Sequence, residues 1–335
     1  MTRATAVFSS MLAPVLTRYV DLKRALGLRF RNPIRTLESL DRFLNDHITN
    51  YPDLNVAAFQ AWCQTQGHLT SGVRRERMRQ IYSFCLYRRR TEPRCFVPDP
   101  SLFPKPHQRL QPYIFSVEEV AQLLRAASGL KRVSSSPLRP EIIRLAIVLL
   151  FTTGIRRGEL LRLTLGDYDC RNATLRIRES KFHKSRLLPL NNDIAGEIEH
   201  YLRARARREL PLSSDTALIW NGRKGGRAYS VRGLQRNLRL LLQQCSIFTL
   251  KGRLPRIHDF RHAHAVNALL RWYRKGAEVE AKLPLLATYL GHVSVLSTHY
   301  YLHWIEPLRK AASEKFARHY GELVVPVPGR KGGQR

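Results

Sequence analysis

Cysteine is scarce and scattered in this sequence: Cys63, Cys85, Cys95, Cys170 and Cys245, an odd number with no Cys-x-x-Cys pair. That pattern argues against a disulfide framework or a zinc ribbon and fits a reducing compartment. Long apolar runs are also missing. The longest, Ile142 to Phe151, is broken by Arg144 and is well short of the ~20 residues a membrane span needs. Ala6 to Leu16 resembles a signal h-region, but it lacks a small-residue cleavage site and runs into a basic helix, so secretion is not expected. Negative charge is the third shortage: 26 Asp and Glu stand against 57 Lys and Arg, a net +31 with pI near 10.9.

An excess of that size works against a compact state unless a polyanion offsets it. It divides as +9 ahead of residue 106 and +22 from there on, so both halves are basic. The expected partner is duplex DNA or RNA gripped from two sides. A ribosomal or chromatin-packing protein would share the charge but rarely the apolar fraction of 44%. At 335 residues the chain suits two domains, each with its own core.

The first hundred residues read as a helical bundle. Leu37, Leu40 and Leu44 recur at helical spacing, as do Phe59 with Trp62, and Met78 with Ile81 and Cys85. Asn55 and Thr70 are the expected N-caps of the third and fourth helices. The fourth carries Arg74, Arg75, Arg77, Arg79, Arg88, Arg89 and Arg90, with Tyr82 and Tyr87 between them. These are either a solvated face or a phosphate-contacting one; the overall charge favours the second, with Arg74, Arg75, Arg77, Arg79, Arg88 and Arg89 as DNA contacts.

Prolines at 93, 98, 100, 104, 106 and 112 mark a linker. The expected organisation is therefore a helical domain over 1–92, a linker over 93–112, a second domain over 113–322 and a basic tail over 323–335. Ser116 with Glu119 is a capping box opening a helix through Ala127. Pro140 starts a helix apolar on every side, the buried centre of the second domain. Alternation over Ala173 to Arg178 predicts a strand, Leu187 and Leu188 begin its partner, and Ser180 to Arg186 form the turn.

Five separated signals lie in the second domain. Thr153-Gly154-Ile155-Arg156-Arg157-Gly158-Glu159-Leu160 follows the buried helix. Lys181 sits in the hairpin turn. His258-Asp259-Phe260-Arg261-His262 places His258 and Arg261 three apart, on one helix face. Leu290-Gly291-His292 is a second histidine at a glycine turn, and Tyr301 follows nine residues on, in a Tyr300-Tyr301 pair.

In this order and spacing the second domain resembles the tyrosine recombinase (phage integrase, Xer-like) family. That family carries T-G-x-R-x-x-E-L, a hairpin lysine, H-x-x-R-H, L-G-H and then a tyrosine. The resemblance covers residues 113–320 and extends loosely to the first domain, which is similar to the family's helical core-binding domain. Gly158 replaces the family's usual serine, Phe260 its leucine, and Ala263 its serine or threonine; none is a catalytic position.

The fold implied is mainly α with a small β-sheet: an N-terminal helical core-binding bundle and a mixed α/β catalytic domain. The function implied is a site-specific recombinase or integrase that cleaves and rejoins DNA through a 3′-phosphotyrosine. Two guanidiniums, Arg156 and Arg261, would clamp the non-bridging oxygens of the transition state without a metal or other cofactor. A phenol is a poor nucleophile near neutrality and needs a base, for which His258 is suited. The resemblance assigns protonation of the departing 5′ oxygen to Lys181, a phosphate hydrogen bond to His292 and nucleophilic attack to Tyr301.

Alternatives stand beside these readings. Lys184 shares the turn with Lys181, and Tyr300 adjoins Tyr301. His258, His262 and His264 form a string that could suggest zinc, though no cysteine or acidic ligand is paired with it. Ile305, Leu308, Ala312 and Phe316 line a closing helix that packs on its own domain or, as in Xer-like relatives, on a neighbouring protomer. The expected partner is double-stranded DNA, with four copies on synapsed sites and accessory or partner recombinases, in the cytoplasm with the bacterial nucleoid. The competing functions are a type IB topoisomerase and a DNA-binding protein that has kept the fold without catalysis.

Overall fold

A computed structural model describes residues 8–28, 30–105, 111–178, 185–222, 227–291, 298 and 313. The chain divides into two compact units, Met1–Leu110 and Gln111–Arg335.

The first unit is built on four helices, α1 (Ala13–Ala25), α2 (Arg31–Asp46), α3 (Val56–Thr65) and α4 (Ser71–Arg88). The leucines at 37, 40 and 44 are fully buried, with Trp62, Ile81 and Phe84 packed in the same core. Asn55 caps α3 by accepting from the Ala58 N–H at 2.9 Å. Thr70 precedes α4 but makes no side-chain cap. A feature the periodicity did not reveal is Asp41: its buried carboxylate accepts from the Ser9 and Ser10 N–H groups at 2.8 and 3.0 Å, tying the start of the chain to α2.

The proline-rich stretch differs from a plain linker. Phe103 is buried in the bundle core, and the Pro104 carbonyl accepts from Arg75 at 2.8 Å. Residues 93–105 therefore pack as part of the first unit, because aromatic residues between the prolines have an apolar surface to cover.

The arginines of α4 separate into two kinds. Arg88 is buried and forked onto Asp53 at 2.7 and 2.9 Å, with Glu92 also accepting from its Nε at 2.7 Å. Arg88 is thereby an internal cross-link rather than the expected DNA contact, since leaving those carboxylates would strand a buried guanidinium. Arg75 and Arg77 are partly committed, to the Phe103–Pro104 carbonyls and to Gln66. Arg74 is half-buried, whereas Arg79 and Arg89 are exposed.

In the second unit α5 (Val117–Ser128) opens on the expected capping box, with Ser116 Oγ and Glu119 exchanging bonds of 3.1 and 2.8 Å. Next come α6 (Arg139–Thr153), buried on all sides, and a single-turn helix α7 (Arg157–Leu160). Arg144 escapes the apolar surround by pairing with Glu197. A three-stranded antiparallel sheet follows, β1 (Tyr168–Asp169), β2 (Thr174–Ile177) and β3 (Arg186–Pro189), with Ile177 opposite Arg186. The helices α8 (Asn192–Ala206), α9 (Val231–Gln244), α10 (Ile257–Arg274) and α11 (Val279–Leu290) complete the described part. α6 packs against α5, α8 and α10 at the centre of the core. Phe260 stacks on Phe115 with centroids 4.2 Å apart, which accounts for an aromatic ring at that position. No described helix is long and apolar enough to cross a membrane.

The sorting of α4 gives a direct test. Arg88→Met should lower the stability of the first unit by about 1–2 kcal/mol, because its carboxylate partners are only half-buried. The salt dependence of DNA binding should not change. Arg79→Met should do the reverse, reducing the log–log salt slope by about 1 with little effect on melting. Thermal melting reads the first effect, and DNA titrations over a range of salt read the second.

Candidate active site

The site is built where helices end. α6 stops at Gly154, whose φ of +60° suits glycine, and a Cβ there would fall 2.7 Å from the His264 ring. The turn puts Arg156 at the N-cap of α7. Three residues on, Glu159 accepts from the Arg156 backbone N–H at 3.1 Å and from its Nη1 at 2.8 Å. The same carboxylate accepts from Arg186 of β3, Nη2 at 2.8 Å and Nη1 at 3.3 Å. Burial alone would raise the Glu159 pKa. The hydrogen bonds and charges of Arg186 and Arg156 outweigh it and bring the carboxyl to about 2.

Arg156 also reaches across the unit, donating from Nη2 to the Gly291 carbonyl at 2.6 Å. Arg261, on the first turns of α10, meets the same turn: Nη2 donates to the Leu290 carbonyl at 2.7 Å and Nη1 to that of Gly154 at 2.8 Å. Two arginines separated by more than a hundred positions thus hold the carbonyl end of α11, where cations are favoured. Arg261 is only 2% exposed, against 25% for the Arg156 side chain. Arg261 therefore lies deeper in the site than Arg156.

The head of α10 repeats the Arg156–Glu159 device. Asp259 accepts from the Arg256 N–H and from its Nη2, both at 2.7 Å. His258 reaches the surface there, with its ring edge-on to His262 at 4.7 Å between centroids. Crowding by protein atoms, then the charges of Arg261 and Arg256, lower the His258 pKa and favour the neutral imidazole. Desolvation and the His258 ring bring His262 to about 4. His264 turns away, with Nδ1 3.2 Å from the Phe151 carbonyl and its ring stacked on Tyr289. Among the described residues no three His, Cys, Asp or Glu side chains gather as a metal-binding group.

Arg156 and His258 line one cleft of about 960 Å³ together with Arg157, Arg239, Arg253 and Arg256. Among the described residues no carboxylate lines it. It adjoins a groove of about 1080 Å³ along α9, lined by Arg139, Arg232, Arg236 and Arg239; Gln235, Arg239 and Gln243 belong to both. Spacings of four and three place Arg232, Arg236 and Arg239 on one exposed face of α9.

Of the residues expected to act, Arg156, His258 and Arg261 come together in this way. Lys181, Lys184, His292, Tyr300, Tyr301 and the closing helix lie outside the described residues. Arg186, Arg239, Arg253 and Arg256 were not singled out by the sequence. Asp259, like Glu159, lies three residues after an arginine, the spacing of a capping box. Nothing local marks Arg186.

The phage integrase family model matches residues 114–306. A Sinorhizobium fredii protein named as an integrase/recombinase (y4rB) is 32% identical over 316 residues, spanning 93% of this chain and 98% of that protein. Tyrosine recombinase XerC of Natranaerobius thermophilus is 31% identical over 205 residues, 60% of each chain. Among solved structures, the XerH site-specific recombinase bound to its difH substrate superposes with a TM-score of 0.61 at 20% identity, over 89% of this chain and 83% of that one. At that identity the likeness is one of fold.

The depressed Glu159 carboxyl sets a pH test. Its stabilising contribution is complete above its ordinary value of 4.5 and is lost as pH falls through about 2. Glu159→Gln should destabilise the second unit at pH 7 by about 2 kcal/mol, discounted for the partial exposure of Arg156. The difference from wild type should shrink between pH 4.5 and 2. Unfolding of both proteins across that range checks it; a difference that stays constant contradicts the assignment.

Proposed function

The chain belongs to the phage integrase family and is a site-specific recombinase acting on DNA, and we propose that it cuts and rejoins strands through a 3′-phosphotyrosine formed by Tyr301. The observation that carries this reading is the convergence of Arg156 and Arg261 on the Leu290–Gly291 turn. That turn leads directly into His292, with Tyr301 nine residues further on.

In the proposed reaction the Tyr301 oxygen attacks phosphorus while its proton passes to His258, neutral at working pH. Negative charge gathers on the non-bridging oxygens, where the Arg156 and Arg261 guanidiniums and His292 stabilise it. The 5′ oxygen leaves with a proton from Lys181. The phosphate is then esterified to Tyr301, and attack by a 5′-hydroxyl reverses each step, so no external energy source is needed. Two cations opposite the oxygens also remove the requirement for a metal ion. The duplex runs along the basic groove of α9, contacted by Arg232, Arg236 and Arg239. In the first unit Arg74, Arg75, Arg77, Arg79 and Arg89 remain the proposed contacts. Exchange takes place among four copies on two synapsed sites, with partner or accessory recombinases where the element requires them.

On a nicked suicide substrate the wild type should accumulate a covalent adduct in excess EDTA, and Tyr301→Phe should form none. An adduct that survives Tyr301→Phe but is lost in Tyr300→Phe moves the nucleophile by one residue. Lys181→Ala should slow cleavage by about 10²–10⁴ on ordinary DNA. A substrate with sulfur at the 5′ bridging position, which leaves as a thiolate, should largely rescue it. Rescue of Lys184→Ala instead assigns the acid to Lys184.

A further inference from the structure

Arg186 lies outside the motifs, and among the described residues its one charge partner is Glu159, yet it is only 12% exposed. Its Nε is buried with no hydrogen-bond partner among the described residues, a costly arrangement for a guanidinium. Its two terminal nitrogens both face Glu159, the carboxylate that also holds Arg156. The guanidinium further adjoins the turn that receives Arg156. A Cβ built on Gly291 would lie 2.9 Å from Arg186 Nη1, 3.2 Å from its Cζ and 3.4 Å from Arg156 Nη1. Gly291 itself has φ +67°, so the turn is doubly restricted to glycine.

We propose that Arg186 is a positioning residue for strand cleavage: it fixes the Glu159 carboxylate and, through it, aims Arg156 at the scissile phosphate. The inference rests on the phosphotyrosine reading above. With Arg186 in place both Glu159 oxygens are held on one side by β3, so Arg156 has a single geometry in which to bond both the carboxylate and the Gly291 carbonyl. Without it the carboxylate turns about its last torsion and Arg156 follows. Lysine offers Glu159 a point charge but not a planar fork. Arg186 also opens β3, and Lys181 lies in the sequence between β2 and β3, so a rival role is to steady the general acid rather than Arg156. The two roles differ in chemistry: Arg156 serves the non-bridging oxygens, and Lys181 serves the leaving group.

The test uses the full chain at saturating DNA, on a suicide substrate in its ordinary and 5′-bridging-sulfur forms. Arg186→Met should cleave about 10²-fold slower, the scale of a small misplacement of a reacting group. DNA affinity should not change, so the loss falls on the rate and not on binding. Arg186→Lys should recover to within about tenfold of wild type, the worth of one charge-assisted hydrogen bond. It keeps the test open if the methionine variant melts below the assay temperature. Sulfur should rescue neither variant, and in a Glu159→Gln background Arg186→Met should add no further loss. Rescue by sulfur, an additive loss beside Glu159→Gln, or wild-type rates in both variants would overturn the proposal. A wild type that forms no adduct overturns the phosphotyrosine reading, and this inference with it.

Discussion

One buried carboxylate holds the site together. Glu159 lies between two guanidiniums, and without it Arg156 and Arg186 would repel each other in a chain already carrying +31. At about 4 Å and an effective dielectric near 20, each such attraction is on the order of 4 kcal/mol before desolvation is subtracted. That anchors α7 to β3. Arg156 extends the connection to the end of α11, and Arg261 carries it back to the turn after α6. Elements far apart in sequence thus share one small hydrogen-bonded frame of guanidiniums and carbonyls.

The frame has an electrostatic consequence. The carboxylates at the base of the site, Glu159 and Asp259, are buried and paired, while the cleft above them is lined by arginines and His258. Cations therefore face outward and anions inward. Crowding, with the same field, lowers the His258 pKa and so favours the neutral imidazole, the form that can accept a proton. A phosphodiester entering the cleft meets positive charge on several sides and a neutral base among the cations.

Much of this was legible in the sequence where the cause is local. The Ser116–Glu119 box, the Asn55 cap and the all-round apolar α6 are set by residues within a few positions of one another, and each is observed. The motif arginines and His258 could be named because their spacing is characteristic of a family. Tertiary context decided the rest. Arg88 has the same sequence surroundings as Arg89, and only the nearness of Asp53 turns it inward. Phe103 draws the proline-rich stretch onto the bundle, although the prolines alone predict a linker. The burial of Arg261 and the part played by Arg186 arise from partners 29 to 107 positions away in the first case and 27 in the second.

Whether Arg156 meets charge on the scissile phosphate is asked most directly by a neutral phosphate. In a suicide substrate with a single methylphosphonate at the scissile position, one non-bridging oxygen becomes a methyl group and the charge it carried is lost. Wild type and Arg156→Ala should be compared for cleavage rate on this substrate and on ordinary DNA. Arg156→Ala should be slower by about 10²–10³ on ordinary DNA, as for loss of one preorganised donor, and should approach wild type on the methylphosphonate. An equally large defect on both substrates would contradict it, leaving Arg156 as a brace for the Gly291 turn with no part in stabilising the phosphate.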